Sequence, residues 1–262
     1  MSHCLSVLGV LLLLNIPGWG INTEKKYQRP LSAFQLSVSG GLTQFFGELN
    51  EQDFKGLFSA EMGYHFHDQW KLSFNVAKGQ IGGLDREQFH SVFECSFHQV
   101  DLLVKYDVMK KKTGHQDKPF HVGFLTGLGL MRFHSEAYDA STGELSRFTN
   151  SPNSARNPLF VRWGTPKGAK RGIKYTNERA IPIGVWLRMP LNRQVETGLE
   201  CRFYFVRTDK LDATSGIHGR NPEESDSYSD TPNDKYSNVS FFLSYRFDKK
   251  PFSRKRQNSR KY

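Results

Sequence analysis

From residue 33 onward the dominant hydrophobic period is two, and it recurs in eight separate segments. Such a period places apolar groups on one face of a β-strand, whereas a helix would scatter them around its axis. Phe34, Leu36, Val38, Gly40 and Leu42 alternate with Gln35, Ser37, Ser39, Gly41 and Thr43. The same pattern sets Phe58, Ala60, Met62, Tyr64 and Phe66 against Ser59, Glu61, Gly63 and His65, and Trp70, Leu72, Phe74 and Val76 against Lys71, Ser73 and Asn75. Val100, Leu102, Val104, Tyr106 and Val108 follow, opposed by Asp101, Lys105 and Asp107, with Leu103 out of step. Further on, Phe120, Val122, Phe124, Leu128 and Leu130 oppose His121, Gly123, Gly127 and Gly129. Ile181, Ile183, Val185 and Leu187 oppose Pro182, Gly184, Trp186 and Arg188. Val195 to Phe205 and Val239 to Phe247 complete the set. Each segment is roughly 9–11 residues, the length a tilted strand needs to cross a bilayer core.

A water-soluble β-sandwich or a lipocalin-like binder also alternates, so two further features bear on the choice. Charged residues share the parity opposite the bulky apolar ones: Glu61, Lys71, Asp101, Lys105, Arg188, Glu196, Glu200, Arg202 and Arg246. In a sandwich they would face solvent; in a small barrel they fill the interior and must pair, because isolated buried charges are costly. The connections also alternate in length. Short links at 67–69, 110–118 and 190–193 are separated by long ones at about 43–56, 78–99, 132–179 and 207–237. Short periplasmic turns and long external loops are the signature of an up-and-down outer-membrane barrel. The fold expected is therefore all-β, an eight-stranded antiparallel up-and-down transmembrane β-barrel. Aromatics near the strand ends (Tyr64, Phe66, Trp70, Tyr106, Phe120, Tyr236, Tyr245) fit interfacial girdles.

The flanks read differently. Leu5–Ile16 is an apolar run too short for a spanning helix, followed by Pro17 and by small residues at Gly18 and Gly20. Residues 1–20 are read as an export signal, 21–32 as a periplasmic leader, 33–247 as the outer-membrane barrel and 248–262 as a basic periplasmic tail. A mean hydropathy of −0.56 excludes a helical membrane protein. The formal charge is +10. More than half of that excess sits in the tail, on Lys249, Lys250, Arg254, Lys255, Arg256, Arg260 and Lys261. Basic surface is thus local, which speaks against nucleic-acid binding.

Several motifs give the chain a familiar cast: Phe46-Gly47-Glu48-Leu49, Ser96-Phe97, Gly127-Leu128-Gly129-Leu130 and Ile181-Pro182-Ile183-Gly184. More specific are Gly198-Leu199-Glu200 with Arg202, Thr208-Asp209-Lys210-Leu211-Asp212 with Ser215, Asn233-Asp234-Lys235-Tyr236, and the closing aromatic Phe247. On these the chain resembles small outer-membrane β-barrel proteins of Bacteroidota, in particular the PorG-like barrel type of the type IX secretion system. It departs from that type at Trp163–Gly168, which lacks an acid, and at Lys210 and Ala213. The resemblance implies an outer-membrane barrel with an accessory role in secretion.

Candidate chemistry is sparse. Glu61, Asp101, Lys105, His121, Arg188, Glu200, Arg202 and Arg246 are expected to form a polar network inside the barrel, with His121 meeting Asp101 on the next strand. Eight strands leave an interior filled by side chains, so a solute pore is not expected. His65 and His67 have a chelating spacing but no third ligand nearby in sequence. The acids Glu223, Glu224, Asp226, Asp230 and Asp234 match no defined calcium loop. Asp209 and Asp212 are expected to cap turns at the barrel rim. Cys95 is placed in the second external loop and Cys201 on the lipid-facing parity, which argues against a disulfide. No G-x-S-x-G or other nucleophile motif occurs.

The reading that results is a non-enzymatic barrel with no catalytic residues, metal or cofactor. Its partners are outer-membrane lipid and lipopolysaccharide, the latter facing the basic Arg162, Lys167, Lys170, Arg171 and Lys174, together with a periplasmic protein or peptidoglycan contacted by the tail. Two alternatives stay open: a rim-active outer-membrane enzyme, lipid-modifying or hydrolytic, and the soluble binder.

Overall fold

The computed structural model describes residues 34–47, 51–85, 90–109, 120–149, 173–192, 194–213 and 233–247. The export signal, the leader and the seven tail bases lie outside them, as do Arg162, Lys167, Lys170, Arg171, Glu223, Glu224, Asp226 and Asp230. The strands run β1 Phe34–Phe46, β2 Glu51–Asp53, β3 Lys55–His65, β4 Trp70–Asp85, β5 Ser91–Asp107, β6 His121–Asp139, β7 Leu145–Phe148, β8 Thr176–Pro190, β9 Val195–Val206 and β10 Lys235–Phe247. All pairings are antiparallel. β1 pairs with β3, β3 with β4, β4 with β5, β5 with β6, β6 with β8, β8 with β9 and β9 with β10. β10 then closes on β1, from Phe34 opposite Phe247 to Phe46 opposite Lys235. These eight strands form the wall, and the short β2 and β7 extend it by pairing with β4 and β6. The barrel is closed and up-and-down, and closure removes the unpaired edges that lipid would not tolerate.

The outer surface carries the apolar parity. Leu128 is 69% exposed and Phe58 61%, and Phe34, Leu36, Val38, Leu72, Phe74, Leu102, Phe124, Ile181, Val185, Phe241 and Leu243 stand beside them in a continuous belt. On β6 and its approach the belt spans Phe120 to Leu130. At ~3.3 Å per residue and a tilt of roughly 40° this is about 25 Å along the membrane normal, the height of an outer-membrane apolar band. A soluble protein does not expose such a patch, so the sandwich alternative fails on which face is outside. Aromatic pairs rim its short-turn end: Phe34 with Tyr64 at 5.1 Å, Trp70 with Tyr106 at 4.7 Å and Tyr245 with Phe247 at 5.0 Å. This is an outer-membrane-type barrel, with both ends of the wall, Phe34 and Phe247, on the side of the short turns.

Three expectations need correction. The strands β4, β5 and β6 are 16, 17 and 19 residues long, so most of 78–99 and the start of 132–179 are wall and not loop. Cys95 accordingly sits on β5, fully buried inside the barrel. Tyr236 is no girdle residue; it points inward and is 1% exposed.

All three follow from an inversion of polarity. Below the rung Lys78–His98–Arg132 the outward residues are apolar and the inward ones mostly polar or charged, apart from the cluster Leu103, Leu125 and Trp186. Above it the outward positions are mostly polar, Gln80, Glu94, Ser96, His134 and Glu136 beside the apolar Val92, while Ile81, Phe93, Cys95, Phe97, Met131 and Phe133 face inward. The wall leaves the membrane at that rung and continues as a small water-facing barrel with an apolar core.

Candidate functional site

The interior has two floors. The upper one is the apolar core, in which Phe45, Leu57, Ile81, Phe93, Phe97, Met131, Phe133 and Val206 pack together with Tyr204 and Tyr236. Phe45 meets Phe93 edge-on at 4.8 Å, and Tyr204 stacks on Tyr236 at 4.5 Å with 3° between the planes. The chain leaving β9 folds over this core and seats Leu211 and Ala213 in it, both fully buried. Ala213 takes a left-handed φ of 57° there. Thr208 and Asp234 hold the turn: Thr208 Oγ1 accepts the Lys210 N–H at 3.2 Å and Asp234 the Leu211 N–H at 2.9 Å. Asp212 is buried in this turn.

Below lies the charged floor, and the eight residues expected to form it all point inward and are buried. They separate into two groups. At mid-barrel, Glu61 meets Lys71 at 3.0 Å, Lys105 at 2.7 Å and Arg202 at 3.2 Å. Lys105 also meets Glu200 at 2.6 Å, and the Arg202 Nε donates to Glu200. Arg202 reaches Asp101 at 3.5 Å, and Asp101 further accepts bonds from Asn75 at 3.0 Å, Gln99 at 2.6 Å and the Tyr204 hydroxyl at 3.1 Å. The Tyr236 hydroxyl donates to Gln99, tying the charged floor to the apolar one. Three acids face three bases, so the group is neutral.

The second group lies toward the short-turn end. Arg188 bridges Asp107 at 2.9 Å and Glu196 at 3.1 Å, and Arg246 meets Glu196 at 2.7 Å. His121 pairs with Asp107, Nδ1 to Oδ2 3.1 Å, and not with Asp101 as expected. Register explains the difference. Asp107 lies opposite Gly123, two residues from His121, whereas Asp101 lies opposite Gly129. At ~3.3 Å per residue that puts Asp101 roughly 20 Å farther up the wall. Gln35 links the groups, donating to Glu196 at 3.1 Å and to Ser244 at 2.8 Å while its carbonyl oxygen meets His65 at 3.0 Å and Lys71 at 3.5 Å.

Between the groups a cleft of about 610 Å³, open mouth included, enters from the short-turn end past His65, Asp68 and Gln69 and runs up to Glu61, Lys105, Glu200 and Arg202. The aromatic floor stands above those residues, so among the described residues the cleft ends blind. Leu103, the residue out of step, is explained here: it packs inside the wall against Leu125 and Trp186. Trp186 lies over Gly123, where an added Cβ would come within 2.2 Å of its ring and 2.0 Å of the Tyr106 carbonyl oxygen.

The network also holds Lys71, Asp107, Glu196, Tyr204, Gln99, Asn75 and Gln35, which the eight-residue expectation left out. Their inward parity was visible in the sequence; their partners were not. Neither Cys95 nor Cys201 is in a disulfide; Cys95 is buried and Cys201 lies on the lipid face.

No protein-family model matches the sequence, and no curated protein matches it. Among solved structures the chain is similar to Neisserial surface protein A, at 10% identity and a TM-score of 0.45, with 82% of this chain and 97% of that one covered. Ail of Yersinia pestis, also 10% identical, gives 0.43 with 82% and 99% covered. A major outer membrane protein from Thermus thermophilus is 12% identical, with a TM-score of 0.43 and the same coverage. Closure and the apolar belt, rather than these similarities, carry the outer-membrane assignment.

Proposed function

We propose that this chain is a non-enzymatic outer-membrane barrel, closed to solutes, that anchors external structure above the membrane and presents its basic tail to an envelope partner. The partner is a periplasmic protein or peptidoglycan, and the role is accessory, in envelope assembly or in secretion of the type IX kind. One observation carries the reading: the interior is stopped twice, by an aromatic floor and by a neutral network whose five carboxylates and five Lys and Arg side chains are all engaged with one another. Such a filling favours a rigid scaffold over a conduit, since buried charges that already compensate each other offer a passing ion no site. The resemblance of the strand and loop motifs to the PorG-like barrel type supports the accessory role.

Purified barrel in planar lipid bilayers is the direct test. No stepwise conductance is expected; discrete openings would overturn the closed-scaffold reading. Deleting residues 248–262 should abolish capture of the envelope partner while leaving the boiling-dependent gel shift of a folded barrel. A lipid-modifying or hydrolytic activity that disappears in His121→Ala, with the gel shift intact, would replace this reading with the enzyme.

A further inference from the structure

The inversion rung carries a second feature. Five wall strands in succession each place one base on the outer surface, two residues beyond the last apolar residue of the belt. Lys78 follows Val76 on β4, His98 precedes Val100 on β5, Arg132 follows Leu130 on β6, Arg179 precedes Ile181 on β8, and Arg207 follows Phe205 at the end of β9. The ladder makes them neighbours. Lys78 lies opposite His98 and His98 opposite Arg132. Arg179 lies opposite Leu130, one diagonal from Arg132, and the Arg207 N–H donates to the Arg179 carbonyl oxygen at 3.0 Å.

Arg207 stands across from Arg179, and like charges directly opposite one another on adjacent strands destabilise a sheet. His98 separates Lys78 from Arg132, and burial together with both of them disfavours its protonated form. The acids Glu94 and Glu136, on the same face of β5 and β6, stand four residues farther out and bond to Gln80 and Tyr138, and Asp209 follows two residues beyond Arg207. Arg132 is also held in place, its guanidinium carbon 4.2 Å from the centre of the Tyr175 ring. Stacking of that kind fixes the plane of the guanidinium and leaves its edge available for a bidentate phosphate contact.

We propose that this arc binds a phosphorylated glycolipid of the external leaflet, its phosphates on the bases and its acyl chains on the belt below. The height matches, because the arc sits where hydrocarbon gives way to headgroups on the long-loop side. So does the width: five strands at ~4.8 Å spacing span roughly 19 Å. A headgroup with several phosphates over several chains fills that footprint, and a one-phosphate lipid does not. The arc runs on to Lys235 of β10, opposite Phe205 and one diagonal from Arg207, whereas β1 and β3 carry Gln44 and Gly56 outward near the same level, so the lipid would mark one side of the barrel. The proposal rests on the membrane placement of the belt argued above.

The test uses the full chain in zwitterionic detergent, with barrel closure checked by the boiling-dependent gel shift. That shift separates failure of the barrel reading from failure of the lipid site. Bisphosphorylated lipid A, phosphatase-treated lipid A and phosphatidylglycerol are titrated with native mass spectrometry as the readout. Lipid A should bind selectively, and Lys78→Gln/Arg132→Gln/Arg179→Gln should weaken it about a hundredfold, from roughly fivefold per base removed. Equal binding of the phosphatase-treated lipid, equal binding of phosphatidylglycerol, or unchanged affinity in the triple variant would each overturn the proposal. If the variant does not close, the phosphatase comparison on the unaltered chain decides alone.

Discussion

Arg202 is the hub of the mid-barrel group, and its removal has a calculable cost. It contacts Glu61 at 3.2 Å, Asp101 at 3.5 Å, the Tyr204 hydroxyl at 3.3 Å and Glu200, with its side chain 6% exposed. Arg202→Met leaves three acids facing two bases at the inner end of the cleft, where the Arg202, Glu61 and Asp101 side chains are 6%, 6% and 0% exposed. Removing one partner of a buried pair costs about 3–5 kcal/mol, because the remaining charge stays desolvated and uncompensated. Against a typical total of about 5–15 kcal/mol that is a large fraction. Glu200→Gln should cost a similar amount for the opposite reason, leaving a base in excess. The double variant restores balance, with Glu61 and Asp101 facing Lys71 and Lys105, and should cost less than the sum of the singles by about 1–3 kcal/mol. Arg202→Lys, which keeps the charge and loses the fork, should fall between. The assay is urea unfolding of barrels in lipid vesicles, followed by tryptophan fluorescence. A single-variant loss below about 1 kcal/mol, or strict additivity in the double, would refute the claim that neutrality holds this interior together.

Other outcomes follow from particular contacts. Gly123→Val should prevent closure, seen as loss of the boiling-dependent gel shift, because the new side chain meets both the Trp186 ring and the Tyr106 carbonyl. Asp139, on the external extension, is held down to about 2 by the Ser141 hydroxyl and the Thr142 and Ser141 amides. Its hydrogen bonds are therefore fully present above the ordinary carboxylate range and are lost as pH falls through about 2. Asp139→Ala should speed amide hydrogen exchange at Ser141 and Thr142 at neutral pH. In folded vesicles Cys95 should resist all maleimides until denaturation, and Cys201 should react with an apolar reagent but not a charged one; labelling followed by mass spectrometry reads both.

Much of the fold was legible because lipid imposes a strict rule on a strand. One face must be apolar, so Phe124, Leu128 and Leu130 against His121, Gly123 and Gly129, taken with the alternating short and long links, read as a wall with its charges inside. The reading stopped short where the phase changed. On β5 the inward residues Phe93, Cys95 and Phe97 share a parity with Asp101 and Lys105, while the lipid-facing Val100 and Leu102 hold the other. A reader following apolar parity takes that break for a loop. The signal available was continued alternation in the opposite phase, the mark of one strand passing from lipid into water.

The sequence by itself determined the class of fold, the number of wall strands, the side on which the ends of the wall meet and most of the charged groups that must be buried. Those are local properties, set by a side-chain period of two and by the lengths of the connections. Only the tertiary structure decided who pairs with whom. Lys105 and Glu200 are 95 positions apart and meet at 2.6 Å, and His121 finds Asp107 instead of Asp101, because closure and register bring distant strands to a common height. The basic arc arose in the same way, five residues with nothing in common along the chain made neighbours by hydrogen bonding between strands at the level where hydrocarbon ends.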